Sequence, residues 1–301
     1  MVDLVLERAL HESIAGCGGK PPPLLGEAIG YAVFPGGARV RPRLCLEVAR
    51  ACGYPGRRTT DLSYAAACSV ELLHCASLVH DDLPCFDASP TRRGRPTVHR
   101  IYGEAMAVLV GDGLMVQSFH TLARALAHRP DIGALPLVTL LDAAGPHRGL
   151  IAGQAWELEK EVDVAAYHHA KTASLFEASA LLGAMVSGEG GARFAAFGRA
   201  FGMAYQLADD VADVVGDPAK LGKPVGRDQA LGRPTAVPDV ASVDDALARL
   251  DEGAEKAITA VPSCPGESDL RRFVEAVFGA ISARFEHDRR RDMRGKSRLS
   301  A

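Results

Sequence analysis

Apolar residues recur at helical spacing almost from end to end of this chain, and nowhere do they alternate as a half-buried strand requires. The runs cover roughly 2–15, 40–52, 59–82, 104–128, 133–143, 146–164, 166–188, 191–216, 242–261 and 268–291. Alanine and leucine dominate them, and both favour helix. The breaks fall where glycine and proline cluster, as in GCGGKPPP, GYPG, ASPTRRGRP and GDPAKLGKPVGRDQALGRP. No repeat period and no linker divides the chain. The pattern predicts one all-α domain over 1–301, an antiparallel multi-helix bundle. Stretches 174–188 and 194–208 are apolar nearly all round, which places them in a central bundle wrapped by other helices.

A chain of 301 residues that is 48% hydrophobic can bury a full core. A net charge of −3 offers nothing to attract nucleic acid. Seven cysteines, odd in number and with no CxxC pair, read as free thiols in a reducing cytoplasm. MVDLVLERALHES reads as an amphipathic helix; neither a signal peptide nor a transmembrane segment is expected. The basic end, DRRRDMRGKSRLSA, reads as a frayed, solvated tail from about residue 289. Its weaker alternatives are docking on acidic lipid heads or covering a site.

The chemistry is signalled at residues 80–94, HDDLPCFDASPTRRG. Asp81 and Asp82 fall in the last turn of an apolar helix, because Pro84 discourages continuation. Negative charge at a helix C-terminus is unfavourable by roughly 0.3–1 kcal/mol. A divalent cation would reverse that sign, and Asp87 can fold back as a further oxygen ligand. The second cluster is YQLADDVADVVGD, residues 205–217. Asp209 and Asp213 are one turn apart on one helix face, Asp210 lies about 100° round, and Gln206 sits a turn before Asp210. All-oxygen donors point to a hard ion, Mg²⁺ (Mn²⁺ being possible), and no His/Cys set has zinc spacing. Two solvated acidic helix ends are the bland alternative, and it weakens when both clusters ride on apolar helices with basic residues trailing. Those are Arg39 and Arg41 in FPGGARVRPRL, Arg92 and Arg93, Lys171 in HHAKTASLF, and Lys223. Cation-holding acids facing phosphate-holding bases describe a diphosphate site.

At these residues the chain resembles the trans-isoprenyl diphosphate synthases. The matching strings are FPGGARVRPRL, ELLHCASLVHDDLPCFDASPTRRGRPTVH, GEAMAVLVGDGLM, LIAGQAWELE, HHAKTASLF and YQLADDVADVVGDPAKLGKPVGRD, in family order from about residue 31 to 235. It is most similar to bacterial geranylgeranyl diphosphate synthases of carotenoid and photosynthetic-pigment pathways. The resemblance implies an isoprenoid synthase fold around a deep central cavity, a homodimer, and head-to-tail condensation of isopentenyl diphosphate with an allylic diphosphate. It implies about three Mg²⁺ ions, held by Asp81, Asp82 and Asp87 on one side and by Asp209, with Asp210 and Asp213 as further candidates, on the other. Arg92, Lys171 and Lys223 would stabilise the leaving diphosphate. Arg41, His74 and Arg93 would grip isopentenyl diphosphate, with Arg39 beside them. Thr172 and Gln206 would steady the cation and leaving group.

Ala76 lies five residues before Asp81, about 7.5 Å deeper along a helix, with Ser77 beside it. Relatives that stop at fifteen carbons usually carry an aromatic there, so small side chains favour the twenty-carbon geranylgeranyl diphosphate. Alternatively Ala76 merely packs a helix crossing, and the floor lies around Met115 or Phe119. The chain departs from the family at Ala38, where a lysine grips isopentenyl diphosphate, a loss of roughly 1.5–3 kcal/mol unless Arg39 compensates. It departs also at Arg233, Ala236 and Glu157. His80 could sit behind Asp81 or pack in the core; His168 and His169 flank Lys171. Rival readings are a farnesyl or longer-chain synthase, a non-catalytic partner subunit, and a terpene cyclase, whose usual second motif differs from DDVAD.

Overall fold

Helices α4 (Asp61–Asp81) and α6 (Glu104–Ala127) form the longest packed pair in one half of the molecule. The computed structural model describes residues 2–16, 19–53, 61–215, 235, 237 and 243–299. Around that pair lie α1 (Val2–Ala15), α2 (Pro23–Val33), α5 (Val98–Tyr102) and α7 (Leu135–Ala144). The other half is built on α3 (Val40–Cys52), α10 (Ser174–Met185), α11 (Ala195–Val215), α12 (Val243–Thr259) and α13 (Glu267–Leu299). Between them run α8 (Leu150–Trp156) and α9 (Val164–His168). The expected all-α architecture holds.

α4 is buried on almost every face, with Leu62, Val70, Leu72, Leu73 and Cys75 all in one hydrophobic cluster. Each fully buried leucine of this kind contributes roughly 1.5–3 kcal/mol. The second cluster is a ladder of rings: Phe176 lies 5.2 Å from Phe201 and 4.9 Å from Tyr205. α4 and α6 are both long and apolar enough to cross a membrane by length and composition. The apolar residues of α4 are consumed by the core, whereas α6 buries Val110, Leu114 and Leu122 and exposes Val108, Leu109 and Val116.

Four local features depart from the periodicity. α2 was hidden in a proline-rich break, but Pro23 stands at the helix start, where a missing N–H costs nothing. A ribbon, β1 (Thr91–Arg92) paired with β2 (Arg95–Pro96), turns at Arg93 (φ 54°) and Gly94 (φ 74°). Two positive-φ residues make the tight hairpin turn, and two-residue strands are too short to alternate. The run expected as one helix over 146–164 stops at Trp156, and α9 starts afresh from Asp163, whose Oδ1 accepts from the N–H groups of Ala165 and Ala166 at 3.0 and 3.1 Å. The run over 166–188 contains a π-helical turn, His169–Ala173. Where a frayed tail is expected, the backbone of α13 stays helical to Leu299, since 289–299 contains no proline and a single glycine.

Candidate active site

A cavity of about 370 Å³ opens between the two halves. α4 delivers Asp81 to it from its last turn, and the backbone N–H of Asp87 donates to the Asp81 carbonyl at 2.9 Å. The chain thus folds back after Pro84 as the sequence requires, and Asp81 and Asp87 both line the cavity. Asp209 and Asp210 line it from α11. Asp82 does not. Its carboxylate is forked by Arg92, with Nη2–Oδ1 at 2.6 Å and Nε–Oδ1 at 3.1 Å. Burial pushes the Asp82 carboxyl up from its ordinary value, and Arg92 opposes that. Asp213 is buried and does not line the cavity either. Successive helical residues point about 100° apart, so Asp82 turns away from the cavity that Asp81 faces.

The unfavourable charge at the end of α4 is answered by Lys171, whose Nζ lies 3.4 Å from Asp81 Oδ1 and bonds Glu157. Glu157 also accepts from the Tyr167 hydroxyl at 2.7 Å. Burial works against the Lys171 charge, yet Asp81 and Glu157 hold its ammonium above the ordinary lysine value. The π-helical turn carries Lys171 and Thr172 to the cavity, a frequent use of such turns. α8 approaches it closely: a Cβ at Gly153 would stand 2.4 Å from Lys171 Cα. Thr172 donates to Gln206 Oε1, and Gln206 Nε2 donates to Asp210 Oδ1 at 2.6 Å. His168 Nε2 lies 3.8 Å from Asp210, while His169 pairs with Glu177 at 3.2 Å.

The opposite wall carries Arg41, His74 and Arg93. Arg41 lies with its guanidinium 4.4 Å over the Phe176 ring, so the aromatic ladder of the second core ends beneath a cation. Its Nη1 is 3.4 Å from His74 Nε2. Burial, then Arg41 and Arg93, hold His74 well below the ordinary imidazole value, which leaves it neutral. Arg39 reaches the wall but spends its guanidinium elsewhere: on Glu71, on Glu7 Oε1 at 3.0 Å and on the Val33 carbonyl at 2.9 Å. It therefore cannot stand in for a lysine at Ala38, which also lines the cavity. Lys223, Arg233 and Ala236 lie outside the described residues. Periodicity did not reveal Tyr205, Tyr167 or Arg284 as lining residues; only three-dimensional packing brings them in.

A second cavity, of about 310 Å³, is almost wholly apolar, lined by Leu73, Phe86, Met115, Ile151 and Leu158 among others. Ser77, Leu150 and Gln154 line both cavities. His80 borders the apolar one, with Nε2 3.5 Å from Asp112, and so stands apart from the acids it precedes. The length argument rests on Ala76, but that residue is fully buried in the core and lines neither cavity. One step of the helix turns it away, and Ser77 lines both cavities instead.

Among the described residues no three His, Cys, Asp or Glu side chains converge as a ready-made metal cage. The donors on the cavity, Asp81, Asp87, Asp209 and Asp210, are all hard oxygens on opposite walls. That set suits Mg²⁺, which keeps waters and completes its shell with phosphate oxygens.

A family model described as polyprenyl synthetase matches residues 22–256. A geranylgeranyl diphosphate synthase of Cereibacter sphaeroides is 46% identical over 286 residues, 93% of this chain and 98% of that protein. The crystal structure of a geranyltransferase from Helicobacter pylori, complexed with magnesium and isoprenyl diphosphate, aligns with a TM-score of 0.74 at 26% identity, covering 92% of this chain and 97% of the other. A geranylgeranyl pyrophosphate synthetase from Pyrococcus horikoshii aligns with a TM-score of 0.69 at 30% identity, covering 92% and 95%.

Proposed function

The chain belongs to the polyprenyl synthetase family, and from that premise we propose that it is a Mg²⁺-dependent head-to-tail prenyltransferase that joins isopentenyl diphosphate to farnesyl diphosphate, giving geranylgeranyl diphosphate. One observation carries the reading. A cavity walled by carboxylates and guanidiniums adjoins an apolar one, with Ser77, Leu150 and Gln154 lining both. A charged head and a hydrocarbon tail on one substrate need this pairing.

Asp81 and Asp87, with Asp209 and Asp210 opposite, would hold Mg²⁺ against the allylic diphosphate. When bound, the metal supplies Lewis-acid charge for the departing diphosphate. Lys171 adds a fixed ammonium as the C–O bond of the allylic substrate ionises. Asp82 acts one step back, orienting Arg92. Thr172 and Gln206, hydrogen-bonded to each other on the cavity wall, would steady the developing carbocation and the leaving group. Arg41, neutral His74 and Arg93 hold isopentenyl diphosphate so that its alkene attacks the cation, after which a proton is lost and the alkene re-forms. The surrounding helices keep out water, which would quench the cation.

The exposed apolar face of α6, with Val108, Leu109 and Val116, suits a second copy of the chain, in line with a homodimer. The described cysteines are all free thiols, four of them buried, as a reducing cytoplasm permits. Incubation of the purified protein with isopentenyl and farnesyl diphosphates and Mg²⁺, followed by sizing of the dephosphorylated alcohol, tests the function. A twenty-carbon alcohol supports it; no turnover with both substrates and metal overturns it.

A further inference from the structure

Glu71 is 1% exposed and belongs to the wall of the polar cavity. A carboxylate there works against a diphosphate unless something neutralises it. Arg39 Nη1 bonds Glu71 Oε1, and Arg93 Nη2 stands 4.0 Å from the same oxygen. The Cys75 thiol lies 3.8 Å away; burial, then Glu71 itself, pushes that thiol up to about 12, so it keeps its proton.

Through Arg39 the carboxylate reaches further. Arg39 has φ 51°, left-handed for a residue with a side chain, and begins α3 only two residues before Arg41. Its other contacts are Glu7 of α1 and the Val33 carbonyl at the end of α2. The loop between is shaped for the two guanidiniums. A Cβ at Gly36 would fall 2.1 Å from Arg39 Cζ, and one at Gly37 would fall 3.1 Å from Arg93 Nε. On α4 itself, His74 follows Glu71 by one turn and meets Arg41 at 3.4 Å.

Resting on the function proposed above, we infer that Glu71 is a positioning residue for the isopentenyl diphosphate side of the site. It lets Arg39, Arg41 and Arg93 gather without mutual repulsion, and it fixes the start of α3 and the β1–β2 turn relative to α4. The allylic side does not depend on it. Asp81, Lys171 and Arg92 are held by Glu157 and Asp82 instead.

The test is steady-state kinetics of the full chain with farnesyl and isopentenyl diphosphates, each varied in turn. Turnover by the unaltered chain must come first; its absence sinks the function itself rather than this role alone. Glu71→Gln keeps the shape and removes the charge. The expected result is a rise of about tenfold or more in KM for isopentenyl diphosphate, with KM for the allylic substrate within twofold, and partial recovery in Glu71→Asp. An unchanged isopentenyl KM in a folded variant, or an equal rise for both substrates, overturns the inference. Should Glu71→Gln fail to fold, Glu7→Gln decides, since it loosens Arg39 from its more exposed side. A smaller rise confined to isopentenyl diphosphate supports the role, and no rise or an equal rise for both substrates rejects it.

Discussion

The two cavities share three residues and little else. In the polar one, charged groups are held by partners: Arg92 by Asp82, Lys171 by Glu157 and Asp81, Arg39 by Glu7 and Glu71. In the apolar one, His80 with Asp112 is a polar pair on the border, and shape, set by Leu73, Phe86 and Met115, limits what fits. Changes in the first should therefore alter rate and affinity, whereas changes in the second should alter product length and leave the chemistry running.

The largest expected effect tests the polar side. Asp81→Ala or Asp209→Ala should lower kcat by about 10²–10³-fold or more, and a chelator should abolish turnover of the unaltered chain. Near-normal kcat in either variant would remove that aspartate from the metal site. Ser77→Phe sits at the join and sharpens the contrast. It should shift the product toward fifteen carbons when dimethylallyl diphosphate is the primer, while condensation continues; an unchanged product profile would place the limit deeper, toward Met115. Ala76→Tyr separates the neighbours. A ring forced into a fully buried core position should cost about 1–3 kcal/mol in chemical denaturation, and a stable variant with a shortened product would show that Ala76 borders the tail after all.

The smallest effect concerns pH. The folded state holds His74 below the ordinary imidazole value, so below about pH 6.5 the unfolded chain takes up a proton that the folded chain refuses. Stability contributed by neutral His74 is present above the unfolded value and is lost as pH falls toward the folded one. Denaturation midpoints should therefore fall less steeply from pH 7 to pH 5 in His74→Gln than in the unaltered chain. Identical slopes would show that His74 is not held neutral.

Much of this was legible in local sequence because it depends on short-range rules. Helices α3, α4, α6 and α11 follow from periodicity, and the return of Asp87 to Asp81 follows from Pro84 ending a helix. What misled was local too. Pro23 closes a proline-rich break and yet begins α2, and the Asp163 cap starts α9 at the end of the run over 146–164, so that α9 straddles two apolar runs. The β1–β2 ribbon left no alternation to read, although the glycine after Arg93 was its signal.

Local pattern is enough to make this chain a helical domain with two acidic helix segments, basic residues to face them and small residues one turn before the first. Spacing along a helix decides which residues can share a face, and that is a property of the backbone. Which face looks where is set by packing between helices. It set Asp81 on the cavity and Asp82 behind it, turned Ala76 into the core and Ser77 to the wall of both cavities, and spent Arg39 on Glu71 and Glu7. Neighbouring helical residues diverge by about 100°, so the absolute rotation of α4, fixed by its packing against α6 and the rest of the core, assigns their roles.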